Sequence, residues 1–79
     1  MALYKHGGYL SQSNSEAFDT EHNPGAAPPY SGIYRCPGCG REAVAEQNRQ
    51  LPPQNHHQHT SEQGRVRWRL IVYADHKPK

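Results

Sequence analysis

Cys36-Pro37-Gly38-Cys39-Gly40 is the segment that most limits what this chain can become. It holds the only two cysteines, three positions apart. Two thiolates at that spacing converge on one point only through a tight turn. Glycine permits the backbone angles such a turn needs, and backbone N–H groups can then point at the sulfurs. A disulfide here would close almost nothing, whereas small secreted domains spread four to eight cysteines over the fold. In a reducing compartment the pair reads as metal ligands or redox thiols.

The rest of the chain needs such a staple. Leu, Ile, Val and Phe together number 10 of 79 residues, below the roughly 20% typical of well-cored globular domains. A chain this small and this poor in large apolar side chains folds with help from a metal, disulfides or a partner. Disorder normally joins low hydrophobicity to high net charge. Here nine basic residues meet seven acidic ones, a formal charge of +2. Composition therefore excludes a large enzyme, a membrane-spanning protein and a polyanion-saturating basic peptide. No stretch approaches the ~18 apolar residues of a membrane span. Residues 1–10 hold one lysine and no continuous apolar run, so they do not read as a signal peptide. The expectation is a cytoplasmic protein.

Residues 1–23 read as a flexible or loosely docked arm, residues 24–75 as the domain, and 76–79 as a polar tail. In the arm, Ser13 and Glu16 have capping-box spacing, which would start a helical turn over residues 16–22. So short a helix is marginal in water, and a turn or loose loop is the better reading. Ser31-Gly32-Ile33-Tyr34-Arg35 is a short β-type run feeding the cysteines. Residues 41–50 suit a helix by the propensity of their alanines or a strand by alternation. The tight turn before them favours a strand. Pro52-Pro53 forbids a helix beyond it, and residues 54–64 are polar and loop-like. Residues 65–73 form the clearest element, a half-buried strand. Val66, Trp68, Leu70 and Val72 fall on one face; Arg65, Arg67, Arg69, Ile71 and Tyr73 fall on the other.

A zinc site is the expectation that unites these features. Sixteen residues separate Cys39 from His56, enough for a hairpin that brings two ligand pairs together. Structural zinc takes four tetrahedral nitrogen or sulfur ligands. Cys36, Cys39 and two histidines from His56, His57 and His59 meet that count. His56 and His59 repeat the spacing of the cysteines and are preferred, with His57 as the alternate. A bare reduced turn and a polar loop are the plain alternatives. His6, His22 and His76 lack local partners and read as solvated. A thioredoxin-like redox pair would open a helix, and no long amphipathic helix follows Cys39.

Cys36-Pro37-Gly38-Cys39-Gly40, entered by a strand, resembles the knuckles of zinc ribbons and rubredoxins. That likeness covers residues 32–40 and is common to many unrelated proteins. It implies a small β-rich, metal-stapled domain: a zinc-ribbon-like antiparallel sheet with a mostly irregular N-terminal arm. The second pair is histidine rather than cysteine, and such mixed ligation suits zinc over iron. A longer likeness spans most of the chain. Pro24-Gly25, Ser31-Gly32-Ile33-Tyr34-Arg35-Cys36, Cys39-Gly40, residues 51–59 and residues 67–72 are similar to a family of short bacterial proteins labelled "protein L". These are unrelated to the immunoglobulin-binding protein of that name. The resemblance implies a bacterial cytosolic protein and brings no activity with it.

Function follows from the surface. Arg65, Arg67 and Arg69 project from one strand face with Tyr73 further along, and Arg35 and Arg41 flank the cysteines. Arginines pair phosphates and stack on bases, and aromatic rings stack on single strands. The same alternation is also the ordinary solvated face of a half-buried strand. The expectation is a non-enzymatic binding module with structural zinc, whose partner is a nucleic acid or a protein. Metal handling or sensing through the histidines is the alternative, and a small redox protein comes last.

Overall fold

The computed structural model describes residues 1–52 and 64–75. Among them the architecture is one open four-stranded antiparallel sheet with two single-turn 3-10 helices, Gly7–Tyr9 and Glu16–Phe18. The strands are β1 (Glu21–His22), β2 (Gly32–Arg35), β3 (Glu42–Ala45) and β4 (Trp68–Tyr73), in spatial order β1-β4-β2-β3. The expected small β-rich domain with an antiparallel sheet is therefore what forms.

β2 and β3 make a hairpin around the two cysteines, with Arg35 opposite Glu42 and Ile33 opposite Val44. The strand reading of residues 41–50 holds for Glu42–Ala45; Asn48, at φ +62°, then turns the chain. Asparagine is among the few non-glycine residues that tolerate this region.

The strand expected over residues 65–73 is shorter, because a ladder exists only opposite a partner. β2 leaves the sheet after Arg35 to make the cysteine turn, and β1 offers only Glu21 and His22, opposite Arg69 and Trp68. The strict alternation is also broken. Tyr34 and Ile33 are consecutive, yet their partners are Leu70 and Val72, so Ile71 is the extra residue of a β-bulge. Beyond it the faces exchange. Val72 joins Ile33, and Tyr73 comes opposite Gly32 on the side of Tyr34, against the expectation that Val72 lines the core and Tyr73 continues the arginine row.

The core lies on one face of the sheet. Trp68, Tyr34, Leu70 and Ala45 are joined by Cys36, Leu51, Val66 and Ala17. Trp68, Tyr34 and Cys36 have no exposed surface. The cover is irregular chain held by backbone hydrogen bonds. Leu51 N–H donates to Ala26 O (2.8 Å), Gly25 N–H to Pro52 O (3.1 Å) and Asn48 N–H to Pro28 O (2.8 Å). Each such bond satisfies groups that a buried loop would otherwise leave unpaired.

Of the turn or loose loop expected after Ser13, a single 3-10 turn forms, Glu16–Phe18. Ser15, not Ser13, caps it, its hydroxyl accepting from Ala17 N–H at 3.2 Å; Ser13 Oγ accepts from Ser15 N–H at 3.1 Å. The turn drops Ala17 into the core and lays Phe18 against Tyr73, ring centroids 6.5 Å apart.

Candidate functional site

The cysteine turn is the loop of the β2–β3 hairpin. Cys36 N–H donates to Arg41 O and Gly40 N–H to Cys36 O, both at 2.8 Å. Gly40 sits at φ +83°, where a Cβ would also press to 3.1 Å from the Arg35 guanidinium. Glycine is thus favoured chiefly by backbone angle, since the guanidinium is the end of a flexible side chain that can shift. Cys36 is buried in the core, Cys39 is half-buried against it, and both are thiols.

His56, His57 and His59 lie outside the described residues, as does His76. Among the described residues no three His, Cys, Asp or Glu side chains cluster as a metal site would need. The chain on either side of the histidine segment is well placed, however. Pro52 accepts from Gly25, shortly after β1, and Arg65 reaches Asn23 Oδ1 at 3.3 Å. β1 pairs with the start of β4, and that start also faces Arg35, the residue before Cys36. Both flanks therefore sit at the end of the sheet that carries the cysteines.

His22 departs from the solvated reading. Its ring meets Tyr34 edge-on (5.7 Å, 80°), and its Nε2 is sealed from solvent with no hydrogen-bond partner among the described residues. Trp68 stands opposite it on β4. A two-residue strand leaves no alternation to read, so the sequence carries no signal for this placement. Tyr34 itself donates to Tyr30 O at 2.6 Å. Burial, with the Tyr30 and Tyr73 phenols adding, pushes its pKa up to about 12.

The other face of the sheet is open and ordered in rows. One row crosses all four strands as Glu21, Arg69, Arg35 and Glu42, each the register partner of the next. Its outer pairs close at 3.4 Å (Arg69–Glu21) and 3.2 Å (Arg35–Glu42), leaving two arginines side by side in the middle. Arg67 and Arg65 also converge on Glu21, at 3.2 and 3.7 Å. Three guanidiniums thus share one carboxylate. The next row is aliphatic: Val72, Ile33 and Val44. Tyr73 is elsewhere, stacked obliquely on Tyr30 with centroids 5.1 Å apart. Arg65, Arg67 and Arg69 are brought together as expected from the sequence, and Tyr73 is not among them. Glu21, the carboxylate that organises them, has no local signal in the sequence.

A curated Escherichia coli protein named "Protein L" is 46% identical over 65 residues, which cover 82% of this chain and 74% of that protein. The chain belongs to the Protein L family. The resemblance to a family of bacterial proteins labelled "protein L" is thereby upheld. No protein-family model matches the chain, and no solved structure matches it. Protein L membership gives kinship with a bacterial protein. Among the described residues no helix is long and apolar enough to cross a membrane.

Proposed function

We propose that this protein is a small zinc-stapled binding module of the bacterial cytoplasm. Zinc is held by Cys36, Cys39 and two of His56, His57 and His59, with His56 and His59 preferred, in a zinc-ribbon-like arrangement. The observation that carries the reading is the cysteine turn. Its two thiols stand in a hairpin loop whose glycine, Gly40, adopts φ +83° and whose backbone bonds fix Cys36 in the core. The donor set fits: two thiols and imidazoles are the ligands zinc prefers in structural sites. The flanking chain at Pro52 and Gly64 supports a histidine pair approaching from the same end. When bound, the metal contributes folding energy, of order 10 kcal/mol in apparent terms, to a core with few large side chains.

The module's working surface is the arginine row. Arg65, Arg67 and Arg69 exceed the charge of Glu21 by two, which suits an acidic partner, a nucleic acid or a protein. Among the described residues the next row to the arginines on the open face is aliphatic, which favours contacts to phosphates or carboxylates over base stacking.

Elemental analysis with native mass spectrometry, on protein purified without a histidine tag, tests the metal. One zinc per chain, with folding lost on chelation and in Cys36→Ser, is the expected result. Single His56→Ala, His57→Ala and His59→Ala variants identify the two ligands by lost zinc affinity. A folded, metal-free chain with two reactive thiols would overturn the reading. A chain that keeps its fold while exchanging zinc would move the role to metal handling.

A further inference from the structure

The open face ends at an edge. β3 is the outermost strand, and among the described residues nothing pairs with its outer side. Along it, Glu42, Val44 and Glu46 alternate with Ala43 and Ala45 and so lie on the open face. Val44 is 81% exposed, an unusual place for a branched apolar side chain. Beside it runs a trough of about 660 Å³ lined by Ile33, Val44, Glu46, Gln47 and Val72. The face-side pattern of this edge is therefore acid, aliphatic, acid.

We propose that the outer edge of β3 receives an extended segment of a partner protein with a basic–aliphatic–basic alternation, added as a fifth strand. Main-chain hydrogen bonds along an open edge give affinity in this mode, and alternate side chains give specificity. The charges select the occupant. In an antiparallel pair of two copies centred on Val44, Glu42 of one copy faces Glu46 of the other, and like charges directly opposite are unfavourable. The edge thus repels its own kind. Both carboxylates already hold an arginine of this chain, Glu42 with Arg35 at 3.2 Å and Glu46 with the exposed Arg49 at 3.6 Å. Exposed pairs of this kind are weak, and opposite a basic strand the two carboxylates can share or exchange them for cross-strand partners. Glu42 already accepts a second cation beyond Arg35, for the Met1 ammonium lies 3.6 Å from it. An aliphatic residue between the two basic ones meets Val44. Charge on a short edge strand also guards against aggregation, but the residue between the two glutamates here is an exposed valine. The inference stands apart from the metal reading and uses a different face-edge from the arginine row.

The test uses the full chain with zinc present and a labelled peptide with the core Lys-Thr-Val-Thr-Lys. Controls are its Glu-Thr-Val-Thr-Glu counterpart, a scrambled peptide of equal composition, and two versions N-methylated at alternate residues. Fluorescence anisotropy gives affinity and amide chemical shifts give the location. The expected result is binding of the basic peptide with shifts at residues 42–46. Affinity should fall about fivefold in the Glu42→Gln/Glu46→Gln variant, the scale of two exposed ion pairs. One N-methylated version should lose binding and the other keep it, since only one side of an added strand faces β3. Equal binding of the scrambled peptide, equal loss with both N-methylated versions, no binding of the basic peptide, or self-association through residues 42–46 would each overturn the proposal.

Discussion

Gly32 is the residue on which the sheet's central pairing turns. It opens β2 opposite Tyr73, and a Cβ built there runs into the Val72 carbonyl oxygen, with the Leu70 side chain 3.0 Å away. A backbone oxygen inside a ladder cannot swing aside as a side chain can. Gly32→Ala should therefore cost about 2–3 kcal/mol, at the upper end of overpacking, read as a lower midpoint in chemical denaturation. A change under 0.5 kcal/mol would show that the β2–β4 approach is looser than described. Tyr34, two residues on, gives a second residue-scale expectation. Its folded pKa of about 12 lies above the ordinary 10.0. A group whose pKa is raised on folding binds its proton more tightly in the native state. Its contribution is complete below pH 10 and is lost as pH climbs toward 12. Stability should decline across that window, and Tyr34→Phe should flatten the decline while removing one tyrosinate absorbance step. The variant should also lose about 1 kcal/mol at neutral pH, the worth of the hydrogen bond to Tyr30 O.

At the scale of elements, β1 matters more than its two residues imply. It carries Glu21 to the one place where Arg65, Arg67 and Arg69 meet. These pairs are half exposed, so their net worth to stability is small, within about 1 kcal/mol. Their effect on surface charge is direct. Glu21→Gln should leave the fold intact and raise the salt needed to elute the protein from heparin, while Arg67→Gln/Arg69→Gln should lower it. Unchanged elution in both variants would remove the arginine row as an anion surface. Elements also show what could be read in advance. β2, β3 and most of β4 were legible because alternation and the cysteine turn mark them. The bulge at Ile71 was not, since a register shift is fixed by two strands together and leaves no mark in either alone. β1 escaped notice for the same reason: Glu21-His22 is too short for any period, and only pairing with Arg69 and Trp68 makes it a strand. The arginines of the candidate surface were legible as a pattern; their common carboxylate lies more than forty positions away in sequence, beyond any local signal.

For the whole molecule, the question is how so few large side chains hold a fold. The sheet buries one face under irregular chain, and that cover begins late. Residues 1–16 contain no buried side chain; the first is Ala17. Met1, Leu3, Tyr4 and Tyr9 are between 73% and 94% exposed. Their burial supplies almost no hydrophobic free energy, for that term scales with area removed from water. Removing residues 1–10 should then change unfolding free energy by no more than about 0.5 kcal/mol, measured by denaturant titration of the shortened chain against the full one. Ala17→Asp, by contrast, places a charge under Trp68 and the rest of the core cluster, and should cost several kcal/mol or abolish folding. A loss above 2 kcal/mol on removing residues 1–10 would mean that the arm, whose Met1 ammonium already reaches Glu42 at 3.6 Å, packs more closely on the open face in solution. The aliphatic row of Val72, Ile33 and Val44 would then be covered from within the chain, and partners would have to compete with the arm for it. If stability is unchanged, the arm adds little there, and the row of Val72, Ile33 and Val44 stays the open side of a sheet that buries only its other face.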